Sequence, residues 1–533
     1  MRTKEMDSCF APLCDFRIYP SSSSLLPFAA ASAAAIIIII IIIRKTFFRL
    51  PSSPPLPPCP FRLPIVGNLP FLDPNLHSCF AQLSSTHGPI FRLHLGSKLA
   101  IVITSPSLSR QILRDHDPTF ANRDVPAAAS VISYGRSDIV WNPIGPTWRM
   151  LRRICVREML SPSNLDAVYH LRRRELRSAI RQIQSAAISG EVVDVGAEMF
   201  LTVLNIITSM LWGGTMEGEE ERSAVGKMFR HLVGEITELL GLPNVSDFFP
   251  AMSRFDLQGI ERKMRVLLER FDGIFARIIE MKREKGLKDE KKVEEKMDFL
   301  DYMLMLEEKG NESKEPFTFT HVKALLMDMV VGGTETSSNT IEFAMAEMMN
   351  KPETIKQAQE ELDKVVGKDN VVEESHLPNL HYLNMVLKEV LRLHPALPLL
   401  VPHCPSSPCS IGGFAVPKGS RVFINVWAIH RDEAMWKDPL EFKPERWSYG
   451  DAAGSGEFSY FPFGSGRRIC AGISMAERMV LYSLASLLHS FDWKMPQGIT
   501  EMDLSEKFGI VLKKAKPLVL LPVPRLSNPQ LYS

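Results

Sequence analysis

Residues 463–472 read Phe463-Gly464-Ser465-Gly466-Arg467-Arg468-Ile469-Cys470-Ala471-Gly472, and an apolar segment of helical period follows to about Leu488. Everything in this loop converges on Cys470. It stands just before the positive end of the predicted helix, where the dipole favours a thiolate. Gly466 permits a turn with positive φ, and Gly472 lets backbone approach closely. The Gly464-Ser465-Gly466 stretch faintly suggests a nucleotide loop. It lacks the third glycine and any strand–turn–helix setting, which excludes that reading.

Three upstream patterns belong with this loop. Glu389 and Arg392 lie three apart, on one face of a predicted helix. Arg446, in Pro444-Glu445-Arg446-Trp447, can complete a Glu–Arg–Arg cluster with them. Further upstream, Gly332-Gly333-Thr334-Glu335-Thr336 interrupts a helical period that begins near His321. Paired glycines inside a helix cost about 1 kcal/mol each relative to alanine, so a purpose is expected for them. Trp148 and Arg152 stand four apart in Trp148-Arg149-Met150-Leu151-Arg152 and share a helix face, with Arg153 and Arg157 extending a basic ridge.

The loop fits F-x-x-G-x-R-x-C-x-G, and with these patterns, in this order, the chain resembles the cytochrome P-450 superfamily from about Pro58 to its end. The resemblance implies a haem cofactor, iron-protoporphyrin IX, with Cys470 as its axial thiolate. Phe463 would shield the sulfur, and Arg468 would pair with a haem propionate. Trp148 and Arg152 would meet a propionate through an indole N–H and a guanidinium. His403 falls where the family often has a propionate-binding Arg or His; an ordinary surface histidine is the alternative. The Glu389–Arg392–Arg446 cluster would lock the cysteine loop. Trp447 stands where the family more often has Phe, a departure read as one of packing. The two helix glycines would open the helix over the haem. Thr336 would hydrogen-bond the bound oxygen, and Glu335 would relay protons from solvent. In wording, residues 330–349, 138–160 and 399–405 resemble the plant group that contains sesquiterpene hydroxylases such as cadinene hydroxylase.

The remaining sequence is consistent with this. A strand pair is predicted at Ile90–Leu95 and Leu99–Thr104, with short β-rich stretches at Cys409–Phe414 and Arg421–Val426. Helical spacing dominates elsewhere: 151–160, 168–188, 198–211, 228–240, 260–285, 321–349 and 353–366. The expected fold is mostly α with a minor β-sheet, a cytochrome P-450-type haem-thiolate fold preceded by one transmembrane helix. Residues 25–43 are apolar except for Pro27 and Ser32 and end in eight isoleucines, long enough to span a bilayer. Within about 20 residues of its ends, Arg44, Lys45, Arg49 and Arg62 follow the run against Arg17 alone before it. The positive-inside bias puts the C-terminal bulk in the cytosol. The expected organisation is a lumenal tail over 1–24, a signal anchor over 25–43, a basic and proline-rich linker over 44–66 and a catalytic domain over 67–533. In the resembled family this means a single-pass endoplasmic reticulum protein.

Composition sets limits. A net charge of +1 over 533 residues implies no nucleic acid partner. Eight scattered cysteines exclude a disulfide framework and fit a reducing compartment. No flavin or nicotinamide fingerprint is present, so electrons must come from another protein, in the resembled family an NADPH-dependent cytochrome reductase. Arg149, Arg153, Arg157 and Arg467 are the cations nearest the cysteine side by motif position. The other expected partners are membrane lipid and an apolar small-molecule substrate, a terpenoid, fatty acid or phenolic. Segments 127–134, 330–331, 396–400 and 508–510 are expected to line its pocket. The expected activity is a monooxygenase. A haem-thiolate dehydratase or isomerase of the aldoxime or hydroperoxide type is the alternative, and a non-catalytic haem protein a third reading.

Overall fold

The strand pair read from the sequence opens the architecture. In the computed structural model, which describes residues 54–533 apart from 214–218, 289–296, 310–314 and 449–457, β1 (Ile90–Leu95) and β2 (Lys98–Ile103) pair antiparallel through the turn at Gly96. Three later strands, β3 (Asn122–Arg123), β4 (His403–Cys404) and β5 (Arg421–Ile424), complete a sheet of order β1-β2-β5-β4-β3. Register sets Arg123 directly across from His403. The stretch Cys409–Phe414, expected as one β segment, turns at Gly412 and Gly413, both at positive φ, and forms a hairpin with Phe414–Val416. A second small sheet joins Val193–Asp194, Phe491–Lys494 and Val519–Pro524, which alternation had not marked.

Helices surround these sheets. The short α1 (Ala127–Ile132) is followed by α2 (Pro146–Ile154), which passes into a π-helical turn at Cys155–Met159 where one longer helix was expected. Next come α3 (Tyr169–Ser189), α4 (Val195–Trp212), α5 (Glu219–Gly241) and α6 (Ile260–Lys288). Then follow α7 (Phe319–Asn350), α8 (Pro352–Val365), α9 (His381–Leu393) and α10 (Ile473–Ser490). Local chemistry sets the ends of α4: the Asp194 side chain accepts from Ala197 N at 2.8 Å, and Gly213 closes it at φ +84°. By length and apolarity α4 could cross a membrane, but 78% of it is buried, so it is a core helix. It packs along α7, whose Val322, Leu325, Leu326, Ile341, Ala344 and Met348 are buried on several faces.

The globular unit begins at Pro55, earlier than the expected Gly67. Pro55 O accepts from Ala415 N and Pro58 O from Arg92 N, each at 2.8 Å, so the second half of the proline-rich stretch is tied to the strands. The expected tail, signal anchor and first part of the linker lie outside the described residues.

Candidate active site

A loop and a helix face each other across a cavity of about 350 Å³. In the loop, Gly466 has φ +71°, and a Cβ there would stand 2.4 Å from Leu113 O and 2.5 Å from Asp117 Oδ1. Only glycine fits such a place. Asp117 accepts from Arg467 N at 3.0 Å and pairs with Arg467 Nε at 2.9 Å. The loop closes as Cys470 N donates to Phe463 O at 3.0 Å. Cys470 Sγ then accepts from Gly472 N at 3.3 Å, just ahead of α10, and faces the cavity with Phe463 in the same wall. Burial pushes the thiol up, against the lowering effect of the Gly472 N–H and the Arg152 charge.

Opposite stands α7, with Gly332, Gly333, Thr336 and Thr340 in the cavity wall. The helix is continuous from Phe319 to Asn350. The two glycines do different jobs. A Cβ on Gly333 would meet Ile207 Cδ1 at 2.6 Å, so that glycine lets α4 approach. A Cβ on Gly332 would meet nothing within 4 Å, so this glycine leaves space over the cavity. Thr336 Oγ1 donates back to Gly332 O at 2.8 Å. Glu335 is buried outside the cavity wall, ion-paired with Lys513, and its Oε2 has no hydrogen-bond partner.

One edge of the cavity is cationic. Arg152 Nη2 donates to Ile469 O at 2.5 Å, and Arg468 donates to Ala121 O at 2.7 Å and Ile139 O at 2.9 Å. Arg123 donates to Val401 O at 2.5 Å and Val140 O at 3.3 Å. His403 is buried rather than on the surface, with Nδ1 donating to Phe120 O at 3.0 Å. Burial, then the Arg123 charge, pushes its imidazole down to about 3, so it is neutral at working pH. Trp148 departs from expectation. Its indole N–H is spent on Ile139 O at 3.1 Å, and Arg468 lies over its ring at 4.8 Å, so it supports Arg468 from behind. Sequence reading missed Arg123, whose role emerges only from pairing with the strand of His403.

The Glu389 cluster is assembled and buried. Arg392 is bidentate to Glu389 at 3.0 and 2.8 Å, and Arg446 Nε reaches Glu389 Oε1 at 2.8 Å. Arg392 Nη1 donates to His430 O at 2.7 Å, and His430 Nε2 accepts from Phe461 N at 3.1 Å, at the root of the cysteine loop. Trp447 does more than pack: its Nε1 donates to Glu389 Oε2 at 2.9 Å.

The rest of the wall is mainly apolar. Ile132, Val331, Ala396, Leu397, Leu400 and Ile510 come from the expected segments, while Val330 and Phe508 are not in it. Ile207, Ile236, Thr237 and Leu240, from α4 and α5, were not foreseen; nothing local separates their cavity face from an ordinary core face. Of the expected docking cations, Arg149, Arg153 and Arg157 are exposed, whereas Arg467 is engaged by Asp117.

The described residues suit a flat, anionic-edged iron cofactor. A single thiol faces open space, Gly332 leaves room above it, and arginines collect at one edge with their N–H groups on backbone carbonyls.

The family model described as Cytochrome P450 matches residues 57–521. Geraniol 8-hydroxylase of Swertia mussotii is 40% identical over 480 residues, covering 89% of this chain and 94% of the relative. A flavonoid 3'-monooxygenase of Crocosmia x crocosmiiflora is 38% identical over 489 residues, covering 90% and 94%. Among solved structures, a zebra fish cytochrome P450 with progesterone superposes with a TM-score of 0.71 at 27% identity, over 84% of this chain and 99% of that one.

Proposed function

The chain belongs to the cytochrome P450 family, a haem-thiolate monooxygenase, and from that premise we propose that it hydroxylates a small terpenoid, a sesquiterpenoid being the first candidate. The observation that carries this is how the cavity treats its few hydroxyls. Of the six that line it, Ser133, Thr237, Thr336 and Thr340 each donate to a backbone carbonyl of their own helical turn, at 2.7, 3.1, 2.8 and 2.8 Å, while Ser337 and Ser465 are the other two. Around them stand Ile132, Ile207, Ile236, Leu240, Val331 and Ile510. Such a wall rewards apolar surface and shape more than hydrogen-bonding groups. A polyhydroxylated phenolic would give up water hydrogen bonds there with few in return. The geraniol hydroxylase among the relatives points the same way.

In this reading Cys470 ligates the iron, while Arg123, Arg152 and Arg468 hold the propionates, with His403 fixed beside Arg123 by its Nδ1–H on Phe120 O. When bound, haem supplies the dioxygen chemistry: one oxygen atom enters a C–H bond and the other leaves as water, with two electrons and two protons consumed. The chain's own part is positioning and proton supply. Thr336 presents its hydroxyl to the cavity by releasing Gly332 O. Glu335, held at Lys513 beside the wall, passes protons inward. The intact Thr336 and cysteine loop favour this over a peroxide-rearranging isomerase. Electrons arrive from an NADPH-dependent reductase at the face of Arg149, Arg153 and Arg157. The 25–43 run anchors the chain in the endoplasmic reticulum membrane with the catalytic unit in the cytosol.

A substrate-binding difference spectrum across terpene, phenolic and fatty-acid panels tests the substrate class. Low- to high-spin shifts are expected at micromolar terpenes and not at flavonoids; the reverse ranking would overturn the proposal.

A further inference from the structure

Two carboxyls of the cavity wall take no part in the chemistry above. Asp138 lies within the loop between α1 and α2, and Asp328 lies on α7. They converge on the same loop, close enough that the Asp138 charge pushes the Asp328 carboxyl up, an arrangement relieved when one of the two carries a proton. Their acceptors are aimed at one short segment. Asp328 Oδ2 accepts from Ile139 N at 2.8 Å, and Asp138 Oδ1 accepts from Trp141 N at 2.9 Å and Asn142 N at 3.1 Å. The carbonyls of that same segment receive the cationic edge. Ile139 O takes Trp148 and Arg468, Val140 O takes Arg123, and Asn142 O takes Arg468.

We propose that Asp138 and Asp328 share one proton and act as a positioning pair, holding the 138–142 loop so that Arg123 and Arg468 stay aimed at the edge of the cofactor. The proposal rests on the haem assignment above. With the proton in place, the pair bridges α7 to the loop. With both carboxyls ionised, like charges face each other and the loop is released. The groups facing the pair are Arg468 from the cysteine loop, Arg123 from β3 and Cys155 from the π turn.

Burial pushes Asp138 up to about 7, against the lowering effect of its backbone donors and Arg468. Burial and Asp138 itself push Asp328 well above the ordinary carboxylate range. Raised carboxyls hold more protons folded than unfolded. Their contribution is therefore complete below the ordinary carboxylate range and is lost as pH rises through about 7 and beyond.

The test is haem transfer from the full-length, detergent-solubilised holoenzyme to excess apomyoglobin, followed across neutral to alkaline pH. The carbonyl spectrum of the parent, recorded first, separates failure of the haem reading from failure of this one. In the parent, transfer should accelerate with pH, by up to about tenfold per pH unit for one released proton. Asp328→Asn keeps an acceptor for Ile139 N and gives Asp138 a permanent donor, so it should transfer slowly at every pH. Asp328→Ala should transfer fast at every pH; should it not fold, parent against Asp328→Asn still decides. A parent rate flat with pH, or an Asp328→Asn profile that rises like the parent's, would overturn the pair.

Discussion

Thr336 spends its hydroxyl on Gly332 O at 2.8 Å, so turning about one side-chain bond redirects the hydrogen into the cavity. Thr336→Ala should keep haem and its carbonyl spectrum while the coupling of NADPH to product falls roughly tenfold, a modest loss for a proton-positioning group. Electrons would then emerge as peroxide or water. Product formation still coupled at the parent level would remove the role assigned to Thr336. Residues whose meaning lies in fixed local spacing were legible: Cys470 with Gly466, and Glu389 with Arg392. Residues that gain meaning from a distant partner were not. Lys513 reaches Glu335, Arg123 stands across from His403, and Asp328 meets the loop at Ile139, all contacts made only by the folded chain. Trp447 was legible as a departure from the family's Phe but not as a donor to Glu389, because a hydrogen bond across the fold leaves no mark in the local pattern.

Among the elements, several helices with an apolar stripe match the sequence reading to within a turn, since burial against a core imposes the 3.6-residue period. But α5 begins at Glu219, well before the expected 228, and the helices Leu76–His87 and Phe299–Lys309 were not expected. Special turns were not legible either. The π turn at Cys155–Met159 falls in an unbroken run of helix-compatible residues, so nothing local separates it from α2. The strand Val519–Pro524 carries two prolines and pairs with segments far upstream, both of which hide it. The cysteine loop is the element where sequence and geometry agree most tightly. Gly466→Ala would put a methyl group 2.4 Å from Leu113 O at a φ of +71°. The expected result is a chain that folds around its helices but retains little haem, measured as the haem-to-protein absorbance ratio after purification. A full haem complement in this variant would show that the loop tolerates what its backbone forbids.

Taken whole, the catalytic unit presents exposed arginines at Arg149, Arg153 and Arg157, on the helix and π turn whose Arg152 reaches the cysteine loop at Ile469 O, and Val156 and Ile469 are partly exposed. Replacing Arg153 and Arg157 by Glu should slow reduction by the reductase several-fold at low salt and leave substrate binding unchanged, with the gap closing as salt screens the charges. Reduction rates that coincide across ionic strengths would move docking elsewhere. The orientation read from Arg44 and Lys45 lies outside the described residues. Fold class and cofactor were thus legible at this scale, whereas the substrate was not, because the shape of an apolar cavity is a property of the assembled helices. The central claim is that Cys470 is the proximal iron ligand, and the reduced carbonyl complex of Cys470→His tests it most directly. Loss of the thiolate-type Soret band is expected in that variant; a band unchanged from the parent would contradict this ligation.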